Sequence, residues 1–142
     1  MKVLVTGAHV FLGSHITKEF LKSGDRVRAL VTPWGETHNL RHQLDDPNLE
    51  VVRADLTERA DLSGACDGVD VVVHAAARVA DWGPWEAFEK TNVEGTRTLL
   101  NESIAAGSGR FVFISSVAVH RYTGFRDADT RLLPRDNLGN AY

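Results

Sequence analysis

The sequence has a single cysteine, Cys66, so no disulfide can form within the chain, and a small buried thiol in a helix is its expected role. Scarce cysteine suits a reducing compartment, and a cytoplasmic setting is expected. No apolar run approaches the ~20 residues of a membrane-spanning helix, so no membrane partner is expected. Residues 3–5 are broken by Thr6 and Gly7, too soon for the core of a secretory signal. Basic residues are not in excess: 16 Lys and Arg against 19 Asp and Glu give a net charge of −3. That balance lacks the electrostatic footprint of a nucleic-acid binder. No histidine–carboxylate spacing makes a zinc site, so no metal is expected.

What remains is ordinary globular material. With 142 residues, 43% hydrophobic and 25% charged, the chain can bury one core. Short apolar runs at 2–6, 26–31, 49–54, 69–74 and 111–114 read as strands. Leu12, Ile16 and Phe20 recur at helical spacing until Gly24 ends the pattern. A weak helix is expected at 39–44 and a short one at 58–66. Pro84 suits the first turn of another, whose face runs Phe88, Asn92, Thr96, Leu99, Leu100 and Ile104 up to Gly107. Uniformly hydrophobic strands separated by helices imply a parallel sheet covered on both faces. Right-handed crossovers make it a doubly wound, Rossmann-like α/β sheet of strand order 3-2-1-4-5. Such a sheet usually continues past its fifth strand. Residues 1–142 are therefore expected to be the front part of a longer protein, with the rest of the sheet and a substrate domain absent. An uncovered flank at strand five is expected to pair with another copy, giving a homo-oligomer.

The stretch LVTGAHVFLGSHI, residues 4–16, joins the first strand to the first helix. In a βαβ unit a first glycine permits the tight turn, a middle one admits a pyrophosphate, and a last one lets helix and strand pack closely. Gly7 and Gly13 fill the outer roles, while Val10 stands in the middle. Phosphates would sit on the amides at the helix N-terminus; a bare strand-to-helix turn would use the same two glycines. In the order above, the strand tips are Thr6-Gly7, Val31-Thr32, Asp55-Leu56, His74 with Ala75, Ala76 and Ala77, and Ser115-Ser116. Asp55 would accept a hydrogen bond from an adenine amine, or cap the helix after it. The alanines would let a flat cofactor pass, or simply pack. Ligands of such sheets bind beyond the strand tips at the switch point between strands one and four, and a dinucleotide is the partner these tips suit.

Taken together, VTGAHVFLGSH, RADLTERADL, VDVVVHAAARVADWGPWEAFEKTNVEGTRTLL and RFVFISSVAV resemble the extended short-chain dehydrogenase/reductase (epimerase/dehydratase) family, most of all its 3β-hydroxysteroid dehydrogenase and dihydroflavonol reductase-like branch. The resemblance implies that Gly7, Phe11, Leu12 and Gly13, with Val10 among them, hold a pyrophosphate. It places Asp55 and Leu56 at adenine, Thr32 beside the adenine ribose, and Ala75, Ala76 and Ala77 along the cofactor channel. Asn92 and Ser115 would lie near the cofactor. Ser116 would be the catalytic hydroxyl and Tyr142 the acid/base of a Tyr-x-x-x-Lys pair, whose lysine would lie past the last residue; Tyr122 is too close to Ser116 for that role.

A phenol of pKa ~10 is a poor base at neutral pH unless positive charge stabilises its anion. Without the lysine the chain itself is expected to be inactive. The longer parent would be an NAD(P)-dependent oxidoreductase working on a hydroxyl or ketone of a small-molecule substrate, such as a steroid- or flavonoid-like one. A nucleotide-sugar epimerase or dehydratase and a non-catalytic dinucleotide sensor are the alternatives. Cofactor choice is open between NAD and NADP, with NAD preferred: Val31 is not acidic, Thr32 is not arginine, and Arg41 and His42 read as solvated. Val10 is expected to crowd the pyrophosphate, with added strain if the loop needs positive φ there. His9 is expected to be exposed and His74 to be a hydrogen-bonded core residue. Trp82 and Trp85, flanking Pro84, would wall an apolar pocket or pack.

Overall fold

A computed structural model describes residues 1–116. Its strands are β1 (Lys2–Thr6), β2 (Arg26–Val31), β3 (Leu49–Arg53), β4 (Val71–His74) and β5 (Arg110–Phe113). All pair in parallel, in the order β3-β2-β1-β4-β5. The doubly wound sheet expected from the alternating pattern is therefore present. The register sets Thr6 level with His74 on one side and with Leu30 on the other, and His74 level with Phe113. The carboxyl ends of the central strands thus finish along one line.

Helix α1 (Phe11–Lys22) follows β1, and Gly24 stops it with a φ of +77° while the Asp25 amide donates back to the Phe20 carbonyl, a left-handed exit that glycine adopts without strain. Helix α2 is Arg59–Leu62. Helix α3 (Trp85–Phe88) runs through a π-helical turn, Glu89–Gly95, into α4 (Thr96–Ala105). One core lies on the α1 side of the sheet and includes Val3, Val5, Val27, Ala29, Val31, Leu21 and Val73. The other, beneath α2 and α4, includes Leu4, Leu30, Ala54, Leu62, Cys66, Val72 and Leu99.

Three local expectations are corrected. Residues 39–44 do not form a helix beyond one 3₁₀ turn, His38–Leu40. The helix expected at 58–66 closes at Leu62, because Gly64 and Gly68 take φ of +73° and +66°. The Arg28 guanidinium, reaching from β2, donates to the carbonyls of Gly64, Ala65 and Asp67 at 3.3, 2.7 and 3.3 Å. Cys66 is thus buried in a turn rather than a helix, and burial pushes its thiol up to about 11. Finally, Leu100 and Ile104 are exposed while Leu99 and Ser103 are buried. The wider π turn shifts the phase of α4 against α3, so evenly spaced residues leave the buried face. No helix among the described residues is long and apolar enough to cross a membrane.

Candidate functional site

The strand tips open onto one crevice of about 830 Å³, within the ~300–1,000 Å³ typical of small-molecule and cofactor sites. Gly7, Val10, Leu12, Thr32, Asp55, Leu56, Ala75, Ala76, Ala77, Ser115 and Ser116 all line it. At its centre the turn after β1 depends on two glycines for different reasons. Gly7 has a φ of +64°, and a Cβ there would stand 3.0 Å from the Ala76 Cα. Gly13 has no unusual dihedral, but a Cβ on it would lie 2.1 Å from the Gly7 carbonyl oxygen. The first turn of α1 therefore packs directly on the loop that leads into it. That N-terminus has no side-chain cap and no acidic residue in its first turn, so the leading amides, which the helix cannot satisfy, remain suited to an anion.

Val10 is the N-cap residue, at φ −93° and ψ 174°. This is extended backbone, so the conditional expectation of positive-φ strain is overturned. Its side chain nonetheless faces the crevice and is 45% exposed. Two other loop residues do not line the crevice: Phe11 is exposed with its ring against His15, at 4.7 Å between centroids, and Gly13 is buried.

The floor beside β4 is pinned by a continuous hydrogen-bond chain. Thr96 Oγ1 donates to the Asn92 carbonyl (2.7 Å) and so accepts from His74 Nε2 (2.8 Å). The Ala76 amide donates to Thr6 Oγ1 (3.1 Å), whose own proton goes to His74 Nδ1 (2.7 Å). Both hydroxyls thus select the tautomer protonated on Nε2. Asn92 closes the other end: Oδ1 accepts from the Arg78 amide at 2.7 Å and Nδ2 donates to the Arg78 carbonyl at 3.0 Å. Asn92 does not line the crevice; it holds the 75–78 segment that does.

Buried at 1% exposure, His74 has its pKa pushed down to about 4 by burial. The native state then carries fewer protons than the unfolded chain between about pH 6.5 and 4, so this stability is present above 6.5 and lost as the pH falls. Urea denaturation is expected to show His74 contributing a loss of about 3 kcal/mol over that window.

At the β2–β3 end, Asp55 Oδ1 accepts from the Thr57 amide at 2.8 Å, which fixes the carboxylate at the rim. The helix-capping alternative is overturned: α2 begins at Arg59 with Glu58 as its N-cap and no side-chain cap, so Asp55 braces the turn ahead of the helix. Thr32 lies close to His9, Oγ1 to Nε2 at 3.4 Å. His9 is not the exposed loop residue expected: it lines the crevice, and burial, followed by the charge of Arg53, lowers its pKa. Trp34, overlooked in the sequence, also lines the crevice, whereas Trp82 and Trp85 do not. Arg41 is exposed and bonded to the rings of His38 and His42. Tyr142 and Tyr122 lie outside the described residues. Among the described residues no cluster of His, Cys, Asp and Glu could hold a metal ion.

A model of the NAD-dependent epimerase/dehydratase family matches residues 3–135. The chain belongs to that family. It is 36% identical to the low-salt glycan biosynthesis protein Agl12 of Haloferax volcanii, over 96% of this chain and 46% of that protein. Cinnamoyl-CoA reductase 1 of Oryza sativa subsp. japonica is 37% identical over 83% of this chain and 35% of its own length. Among solved structures, DesIV, the dTDP-glucose 4,6-dehydratase of Streptomyces venezuelae with NAD and TYD bound, superposes with a TM-score of 0.82 at 33% identity, covering 94% of this chain and 46% of that one. The chain thus spans less than half the length of these epimerase/dehydratase relatives.

Proposed function

We propose that the chain is the dinucleotide-binding part of an NAD-dependent enzyme that acts on a hydroxyl or ketone of a small molecule. The observation that carries this is the uncapped α1 N-terminus, set against Gly7 and opening onto the crevice at the switch between β1 and β4. The residues present fit the cofactor: an anion seat at the centre, small alanines along one arm, and an anchored carboxylate with Leu56 at the other. When bound, the nicotinamide supplies hydride exchange. This chain's own residues would do the rest. Ser116 would hold the substrate oxygen by its hydroxyl. Tyr142 would move the proton at that oxygen, paired with a lysine beyond it. Ser115, Asn92 and the alanines would keep the cofactor arm in place. The NAD preference draws on the NAD bound in the DesIV structure and on the absence of a cation at Val31 and Thr32.

Calorimetric titration with NAD tests the reading: saturable one-to-one binding is expected, and none at millimolar cofactor overturns it. Val10→Gly is expected to tighten binding about fivefold by removing the crowding isopropyl group, worth roughly 1 kcal/mol. An unchanged dissociation constant would show that the side chain clears the phosphates. For substrate, a steroid- or flavonoid-like alcohol is the first choice on the sequence resemblance. A nucleotide-sugar substrate is the second reading, favoured by the likeness to DesIV over most of this chain. Turnover by the longer parent protein with one panel and not the other, lost in Ser116→Ala, separates them.

A further inference from the structure

We propose that Trp34 is the aromatic platform on which the adenine of the dinucleotide stacks, an inference that rests on the dinucleotide reading above. Residues 32–35 form a tight turn closed by the Gly35 amide on the Thr32 carbonyl at 2.9 Å. One guanidinium locks it: Arg53 Nη1, at the end of β3, donates to the carbonyls of Thr32, Pro33 and Gly35 at 3.1, 2.9 and 3.0 Å. Gly35 keys the turn onto the phosphate loop, since a Cβ there would lie 2.6 Å from Thr32 Oγ1 and 2.8 Å from the His9 ring. The backbone on both sides of Trp34 is therefore fixed, yet its indole is 73% exposed on the crevice wall. A rigid turn that displays a large flat apolar face, with the Asp55 carboxylate and Leu56 lining the same crevice, suits a flat ring with a polar amine edge. The backbone that carries this face is already fixed, and an indole has only two side-chain torsions to settle on binding. The first βαβ half of a doubly wound sheet is the one that takes the adenosine end.

The test titrates AMP and NAD into the chain and into Trp34→Leu and Trp34→Phe. Trp34→Leu keeps an apolar side chain without a π face and is expected to weaken both ligands by the same factor, about tenfold, while Trp34→Phe loses less. Loss of less than about twofold in Trp34→Leu, with the unmodified chain binding, overturns the platform alone. Failure of the unmodified chain to bind either ligand overturns the dinucleotide reading, and the platform with it. A second readout uses a chain with Trp82→Phe and Trp85→Phe, which leaves Trp34 as the only indole. AMP is expected to quench its fluorescence along the calorimetric binding curve; an unquenched signal in a chain that binds AMP overturns the proposal.

Discussion

Gly13→Ala is expected to abolish measurable NAD binding and to destabilise the chain by about 3 kcal/mol or more, the upper end of overpacking costs. The added methyl would overlap the Gly7 carbonyl oxygen at 2.1 Å, with the Gly7 carbon and the Ala8 Cα at 2.7 and 2.9 Å. All three are backbone atoms, so no rotamer relieves the clash. Only a displacement of α1 from β1 does so, and that displacement carries the leading amides away from the crevice. Gly24→Ala is the matched control: nothing lies within 4 Å of its Cβ, but its φ is +77°. It should cost only about 1 kcal/mol, by backbone strain, and leave binding unchanged. Urea melts and titrations of the two variants together distinguish a packing requirement from a conformational one. Equal losses of stability would refute it.

The second large effect is expected at His74. Leucine fills similar space but removes the acceptor for Thr6 and the donor for Thr96. A buried hydroxyl hydrogen left without a partner costs ~1–3 kcal/mol, and the lost cross-link between β1, β4 and α4 adds to it. His74→Leu should therefore lower stability at pH 7 by about 3 kcal/mol and flatten the acid limb, because the group whose protonation drives that limb is gone. Cofactor affinity should fall too, since Thr6, whose hydroxyl accepts from the Ala76 amide, loses the ring nitrogen that orients it. A variant whose acid limb matches the unmodified chain would locate the titrating group elsewhere.

Much of this arrangement was legible in the residues. Strands β1 and β2 run over the stretches expected, because uninterrupted apolar runs ended by Thr6-Gly7 and by Thr32-Pro33 admit few other readings. The parallel order and the convergence of the tips followed from alternation and handedness. Features made by one long side chain reaching across the fold were not legible. Arg28 ends the region after α2 from a different strand, and Arg53 fixes the Trp34 turn from β3. Neither arginine carries a local signal, so nothing in the sequence singled out Trp34. The π turn was hidden for a related reason: its i→i+5 bonding follows no hydrophobic period.

The Arg53 arrangement bears on how cofactor choice would be engineered. A cation near the adenine ribose usually invites a 2′-phosphate, and Arg53 is the cation hydrogen-bonded to the Thr32 turn. Its Nη1 is already committed to three carbonyls, and redirecting it would loosen the turn beneath the indole. A switch toward NADP would have to introduce a new basic side chain at Val31 or Thr32. Recruiting Arg53 would dismantle the adenine end while trying to extend it.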